Sequence, residues 1–500
     1  MSYINNLTLH DLRYNGTRPA SAALTDIIME QITAGQVESC TGGILAYGSR
    51  SAVFSGISID SRTIQNGDLF FAIRGARQDG HRYVAEALQK GAAGIVVDAG
   101  YVLPDVFPAN RILLRVEDSH RALKDLAAQV REQWMGSLVA ITGSMGKTIT
   151  KEFIYRVLST EFSVYRSPGN FNNLFGLPLA IFGLSRDDHI GVFELGMSAP
   201  GEIAEMCRIA SPDAGVITNV APVHLEFFHS LEEIAHAKGE LADGLRPDGL
   251  LVYNADDPLV DEIARRFGGP KLSYGSSDRA DLHIEGIEVL DLEETRLQFT
   301  YEGITQKVMI PLGGVHYALN ALPAVVLGRH YRIDMEQILE GLRNLEQASM
   351  RGRIVRFKEG FTLIDDSYNS NPRALARMLE ALAAGKPCSR RMLVAGEMLE
   401  LGPESAALHY QCGVRAAQIG VDMIVGVQGA AREIVRGAVE SGIPESRALF
   451  FTQLEPAIDF VAREVRAGDL LLVKGSRGVH LERMVQALQS QYQEWHNHNP

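Results

Sequence analysis

The sequence predicts an α/β protein of three domains, and three features carry that expectation. Apolar runs of strand length alternate with helical segments from Gly56 onward. A chain of 500 residues suits about three domains at roughly 150 residues each. One of the alternations, LVAITGSMGKTITKEF from Leu138 to Phe153, is a strand, a glycine turn and a helix in direct succession. The composition of 46% hydrophobic and 22% charged residues is ordinary for a globular fold in water. A net charge of −13 argues against broad binding to nucleic acid or to anionic membrane surfaces. Cys40, Cys207, Cys388 and Cys412 are scattered, without CxxC or metal-ligand spacing, which suits free thiols in a reducing compartment. No basic-then-apolar leader and no apolar stretch of membrane-spanning length is seen, so a cytoplasmic protein without membrane insertion is expected.

Residues 1–42 show no strand pattern and read as an N-terminal extension of unknown role, with a short helix expected over Asp26 to Ile32. A small α/β domain is expected over residues 43–136. In it, GISIDSRTIQNGDLFFAIRG suggests two strands around an Asn66-Gly67-Asp68 turn, and YVAEALQKGAAGIVVD a helix, a stop at Gly91 and a buried strand. RALKDLAAQVREQW reads as the helix leading into the next domain. Over residues 137–346 the strands LVAIT, GVFELG, AGVITNV and LLVYN alternate with helices. That pattern implies a parallel sheet with ligand loops at the strand C-termini. Residues 347–500 repeat it with FTLIDD, MLVAGE, MIVGV and DLLLVKG, separated by helices such as NPRALARMLEALAAG and AREIVRGAVESG. This is a Rossmann-like, doubly wound domain with no phosphate loop of its own.

Leu138 to Ile141 is short and apolar, with β-branched members, as a buried parallel strand requires. Gly143 and Gly146 let the backbone turn tightly around Ser144 and Met145, so that its N–H groups point into one cavity. Ile149, Phe153, Ile154, Val157 and Leu158 then recur at helical spacing, which starts a helix near Lys147. A helix N-terminus fed by a glycine turn presents free donors and a positive dipole end to an anion. Lys147 adds a charge for the β- and γ-phosphates, and the Thr148 hydroxyl is placed to ligate Mg²⁺. Ile141 stands where the common GxxxxGK[ST] pattern has glycine, so this is the shorter TGxxGKT variant. A nucleoside triphosphate is the expected ligand.

Further candidates stand at strand ends. Glu194 closes GVFELGM, where a carboxylate could ligate Mg²⁺ or hold its water; a buried, paired glutamate is the plainer alternative. His224 follows AGVITNV, and a lone histidine after a strand is more often structural than a ligand. Lys238, within LEEIAHAKGEL, reads by itself as a solvated helix lysine. The chain also carries, in order, GNFNNLFGLP (Gly169 to Pro178), FELGMSAPGEI, NVAPVHLEFF, AHAKGEL, DDSYNSNP (Asp365 to Pro372) and VKGSRG. Together these segments resemble the Mur ligase family of ATP-dependent peptide synthetases that build peptidoglycan precursors. The resemblance covers about residues 56 to 490.

The resemblance implies a small first domain for a UDP-sugar peptide, a central ATPase domain and a C-terminal ligase domain. It implies that ATP phosphorylates a substrate carboxylate and that an amine attacks the acyl phosphate. The small-molecule partners it implies are a UDP-N-acetylmuramoyl tripeptide and D-alanyl-D-alanine, with no nucleic acid, and the chain is expected to be a monomer. Sister enzymes adding diaminopimelate or lysine are the alternative, although they lack the DSYN-type block that this chain carries. On this reading Lys147 and the amides of Gly143, Ser144, Met145 and Gly146 hold phosphates, Thr148 and Glu194 a first Mg²⁺, and His224 a second. Lys238 matches a lysine carried as a carbamate made with CO₂, which needs a neutral amine and therefore burial. Asn320 takes the adenine position of GGVHYALNALPA, where Tyr317 replaces an Asn common in the family. Arg353 and Asp366 match residues that reach the nucleotide from the third domain. Ser58, Asp60, Ser61 and Arg62 fall in the UDP-binding segment, and Asn172 and Asn173 near the substrate. Lys474, Ser476 and Arg477 are candidates for the carboxylate of the incoming dipeptide, since Arg can grip it bidentately; helix capping by Ser476 competes with that role. A nucleotide hydrolase coupled to motion, or a non-catalytic nucleotide-binding paralogue, would explain the phosphate loop but not the second-metal set.

Overall fold

Each stretch that alternates strands with helices folds into its own sheet, and three such sheets follow one another along the chain. The computed structural model describes residues 32–75, 78–102, 107–223, 226–345, 350–384 and 388–495. In the first unit, Gly56–Ser58, Asp68–Phe71, Gly94–Asp98 and Ile112–Val116 pair in parallel, and Ile44–Tyr47 closes one edge antiparallel. The two strands expected around Asn66-Gly67-Asp68 are present, but they run parallel, so the residues between them return to the same end of the sheet instead of forming a hairpin turn. That return carries Asp60, Ser61 and Arg62 away from the end of the strand Gly56–Ser58.

The expected N-terminal extension needs a correction. Ile32–Thr33 pairs with Val53–Phe54, and Thr33 opens the helix Ala34–Thr41 through a reciprocal capping box with Gln36. Ile32, Ala34 and Val37 join the core around the helix Ser119–Gln133, so the first unit begins by Ile32. The signal is weak in sequence because only Ala34 and Val37 of this helix are buried. The short helix expected over Asp26 to Ile32 falls, except for Ile32, outside the described residues, and Ile32 itself is in the strand.

Among the described residues the central sheet has nine strands. Val164–Arg166, Ile190–Glu194, Ser137–Thr142, Ala214–Ile217, Leu250–Asn254 and Lys271–Gly275 are parallel neighbours in that order, as the alternation requires. Leu282–Val289 continues in parallel, then Thr295–Tyr301 and Ile304–Ile310 extend the sheet antiparallel, beyond what the sequence reading contained. Alternation in Thr295–Tyr301 buries Thr295, Leu297, Phe299 and Tyr301 on one face, in the core shared with the helix Val315–His330. The third sheet orders Arg353–Arg356, Thr362–Asp366, Asp469–Lys474, Arg390–Gly396, Met423–Val427 and Ala448–Phe451, all parallel except the first strand. No helix among the described residues is long and apolar enough to cross a membrane.

The phosphate loop forms as its sequence demands, between Ser137–Thr142 and the helix Lys147–Leu158. Gly146 caps that helix at a φ of 83°, and a Cβ there would collide with the Asn320 amide. Gly146→Ala should therefore cost about 1–3 kcal/mol and displace the loop. Thermal denaturation together with ADP affinity checks this; both unchanged would mean that the loop tolerates a side chain.

Candidate active site

A cavity of 630 Å³ lies where the C-terminal ends of the central strands meet the third domain. Ser144, Met145, Gly146, Lys147 and Thr148 line it, with Gly143 just behind. The loop is shaped by the end of the neighbouring strand Ala214–Ile217. Ser144 and Met145 donate their N–H groups to the backbone and side-chain oxygens of Asn219 at 2.9 and 3.0 Å, and the Asn219 amide returns a bond to the Met145 carbonyl at 2.9 Å. Thr218 Oγ1 donates to the same carbonyl at 2.7 Å. Lys147 Nζ reaches back to the Gly143 carbonyl at 2.8 Å, across the mouth of the turn.

Beside the loop, Thr148 Oγ1 donates to one oxygen of Glu194 at 2.7 Å, and Asn172 Nδ2 to the other at 2.8 Å. Glu194 is 3% exposed. Burial pushes its pKa up, but Lys147, Arg351, the Thr148 hydroxyl and Lys151 outweigh that and hold it below the ordinary value. A hard divalent cation takes oxygen ligands, and the Thr148 hydroxyl with an ionised Glu194 supplies two, so the residues fit one Mg²⁺. Among the described residues no group of three His, Cys, Asp or Glu side chains converges, so phosphate oxygens and water would complete that ion's shell. Lys238, on the helix Leu231–Asp243, is no solvated lysine: it is 2% exposed and lines the cavity. Burial first, and then the charge of Lys147, pushes its pKa well below the ordinary lysine value. Its expected neighbour His224 lies outside the described residues.

The helix Val315–His330 brings His316, Tyr317 and Asn320 to the cavity wall, with Asn320 against Gly146. From the third domain come Asp366 and Lys474, register partners at the ends of adjacent strands and 2.5 Å apart. Lys474 also donates to the Asn369 carbonyl at 3.0 Å. Asn173 lines the cavity, but its Oδ1 is engaged by the N–H groups of Phe175 and Gly176 at 3.1 and 2.8 Å.

Three of the expected placements differ. Arg353 is outside the cavity, 3.8 Å from Glu494, and Arg351 lines it instead. Gly352 turns the chain between them at a φ of 74°, with the Tyr317 hydroxyl where a Cβ would sit, so the two arginines part company. Ser476 is buried and accepts the Leu399 N–H at 2.9 Å; it neither lines the cavity nor caps a helix with its side chain. Arg477 is exposed, 5.5 Å from the ring centre of Tyr368, over which Arg351 lies at 4.0 Å. Ser58, Asp60, Ser61 and Arg62 form a separate surface on the first unit. Arg62 clamps Asp60 through Nε and Nη2 at 2.9 and 2.7 Å, Ser58 Oγ donates to the Asp60 carbonyl, and Ser61 Oγ to Glu86 at 3.0 Å.

Comparison with known proteins meets this geometry directly. The chain is 33% identical to the UDP-N-acetylmuramoyl-tripeptide–D-alanyl-D-alanine ligase of Bacillus subtilis over 87% of its length and 93% of the relative's. The chain belongs to the Mur ligase family. Family models match in three blocks: the Mur ligase family catalytic domain over residues 53–131, the Mur ligase middle domain over 141–328 and the Mur ligase glutamate ligase domain over 350–477. Among solved structures, MurF from Acinetobacter baumannii superposes with a TM-score of 0.80 at 27% identity, covering 92% of this chain and 99% of that one. MurF ligase from Thermotoga maritima in complex with ADP gives 0.74 at 29% identity, covering 87% and 97%. The Mur ligase described here is thus an ATP-dependent enzyme that forms amide bonds, built on the three-domain α/β architecture of its relatives. Sequence reasoning missed Asn219, Lys151 and Arg351 in it. Lys151 sits one helical turn after Lys147, nearly fully buried, with Nζ on the Ser167 carbonyl at 2.7 Å. The spacing of the two lysines, on one helix face, is a signal that could have found it.

Proposed function

We propose that this Mur ligase joins D-alanyl-D-alanine to a UDP-N-acetylmuramoyl tripeptide in the cytoplasm, acting as a monomer. The observation that carries the substrate pair is the alignment, over nearly the whole chain, with a relative bearing that name. The tripeptide carboxylate oxygen attacks the γ-phosphorus of ATP, and the bond to the ADP oxygen breaks. The dipeptide amine then attacks the acyl carbon, the C–N bond forms, phosphate leaves, and the amine gives up its proton. Lys147 and the amides of Gly143 and Gly146 are assigned to the phosphates, since those of Ser144 and Met145 already donate to Asn219, while Arg351 adds charge from the cavity wall. Thr148 and Glu194 would hold one Mg²⁺, which when bound neutralises charge on the phosphates. His224 is the assigned ligand of a second ion. Lys238, buried and with its pKa pushed well down, is assigned as the amine that takes up CO₂ and releases a proton to become a carbamate anion. Asn320 and Asp366 are assigned to the nucleoside, and Arg353 joins them if the third domain turns inward. Asn172 orients Glu194 through its 2.8 Å bond, and Asn173 shapes the substrate path. The Ser58, Asp60, Ser61 and Arg62 surface is assigned to the UDP end. Lys474, neutralised by Asp366, is less suited to the dipeptide carboxylate than its sequence position suggests.

Phosphate release tests the assignment. It should require both the UDP-tripeptide and D-alanyl-D-alanine, because the acyl phosphate forms on one and is consumed by the other. Equal ATP hydrolysis without either substrate would sink the ligase reading, and diaminopimelate or lysine replacing the dipeptide would move the chain to its sister enzymes.

A further inference from the structure

Two groups of charges stand at the cavity wall or just behind it. Around the phosphate loop, Lys147, Lys151, Arg351 and Glu194 act on one another. Elsewhere on the wall, His316 feels two cations of the third domain, Arg377 and Lys474. Lys474 is committed to Asp366. Arg377 has no such commitment: among the described residues no hydrogen bond or ion pair holds its guanidinium. The carboxylate that acts on it, Glu380, bonds Arg415 at 3.1 Å. Burial lowers the pKa of Arg377, with Arg373 adding repulsion. A half-buried guanidinium left unpaired is costly unless a ligand completes it. Ala374, Arg377 and Met378 share one face of the helix Pro372–Ala384 and all line the cavity, so this face looks into it. Just before the helix, Ser370 lines the same cavity, 5% exposed, with its hydroxyl buried and without a hydrogen-bond partner.

The phosphates of ATP belong with the loop and Lys147. His316 is pushed down to about 3, by burial first and then by Arg377 and Lys474, so its imidazole is neutral at working pH. A neutral ring with one acceptor suits an uncharged planar base better than a phosphate. A guanidinium is itself planar, stacks on aromatic faces and donates to ring nitrogens. We propose that Arg377 is a specificity-determining residue for the nucleotide, closing on the purine base from the third domain opposite His316.

Calorimetric binding of ADP and of inorganic tripolyphosphate to the full chain, with KM for ATP and for the amine substrate, tests this in Arg377→Ala and Arg377→Lys. ADP affinity and KM for ATP should each worsen about tenfold in the alanine variant, with kcat at saturating ATP and tripolyphosphate affinity unchanged. Lysine should not rescue, since an ammonium cannot stack as a plane. An equal loss for tripolyphosphate, or full rescue by lysine, would make Arg377 a phosphate counter-charge and overturn the proposal. A raised KM for the amine alone would assign it to that substrate, and unchanged ADP affinity would remove any nucleotide role. Arg377→Gln, closer in volume, carries the same measurements if the alanine variant does not fold.

Discussion

Lys147→Ala and Glu194→Ala are each expected to lower turnover on the order of a thousandfold or more, with the fold intact. Lys147 opens the helix after the glycine turn, and its bond to the Gly143 carbonyl holds it across the turn where the phosphates are proposed to sit. A thousandfold is about 4 kcal/mol of transition-state stabilisation, reasonable for a charge acting inside a water-poor cavity. Glu194 acts through the ion it would share with Thr148, so Glu194→Gln, which keeps the shape but not the charge, should fall nearly as far as the alanine variant. Phosphate release under saturating substrates, with circular dichroism as the folding control, reads all three. Near-normal turnover in any folded variant would mean that the phosphate and metal site is wrongly placed. Glu194 also ties stability to acid. Its native pKa lies below the ordinary 4.5, so the stability it contributes is fully present above 4.5 and is lost as pH falls through the depressed native value.

Lys238→Ala is expected to be nearly inactive yet folded, and short carboxylic acids such as acetate should partly restore it by filling the vacated space with a carboxylate. The buried amine is the ground for this. At 2% exposure, and with only burial and Lys147 shifting it, Lys238 is neutral over a range where an exposed lysine is charged. Neutrality is what CO₂ capture needs, so activity should fall on CO₂ depletion and as pH drops through the depressed native value. The sign for stability is the same: between that native value and the ordinary 10.5 the unfolded chain binds the extra proton, so for the unmodified amine stability rises with pH across that window. Labelled bicarbonate should produce a carbamate carbon resonance in the wild type that is absent from Lys238→Ala. Full activity of the folded variant, or no such resonance in active enzyme, would reject the carbamate.

The strand, turn and helix around Gly143 were legible in the sequence because their determinants are local. An apolar run, two glycines and a helical repeat specify the turn within a dozen residues, although the Ser144 and Met145 amides turn to Asn219, which the sequence did not reveal. Glu194 was legible for the same reason, as a carboxylate at the end of a buried strand in a sheet whose ligands gather at strand ends. Motif order located the third domain's contribution, and Asp366 and Lys474 do meet at adjacent strand ends. The sequence by itself thus determined the three α/β units, the glycine turn between strand and helix, and the family. Tertiary structure alone decided which side chains face the cavity. Lys238 looks solvated until the surrounding fold buries it, because burial depends on neighbours that periodicity within one helix does not reveal. Arg353 and Arg351 are two residues apart, yet a single positive-φ glycine beside Tyr317 sends one to Glu494 and the other to the phosphate loop. Arg377 looks like any helix arginine until the third domain folds against His316, and only then does its missing counter-charge become visible. Local spacing sets backbone conformation, whereas charge pairing and burial are set by contacts between segments far apart in the chain.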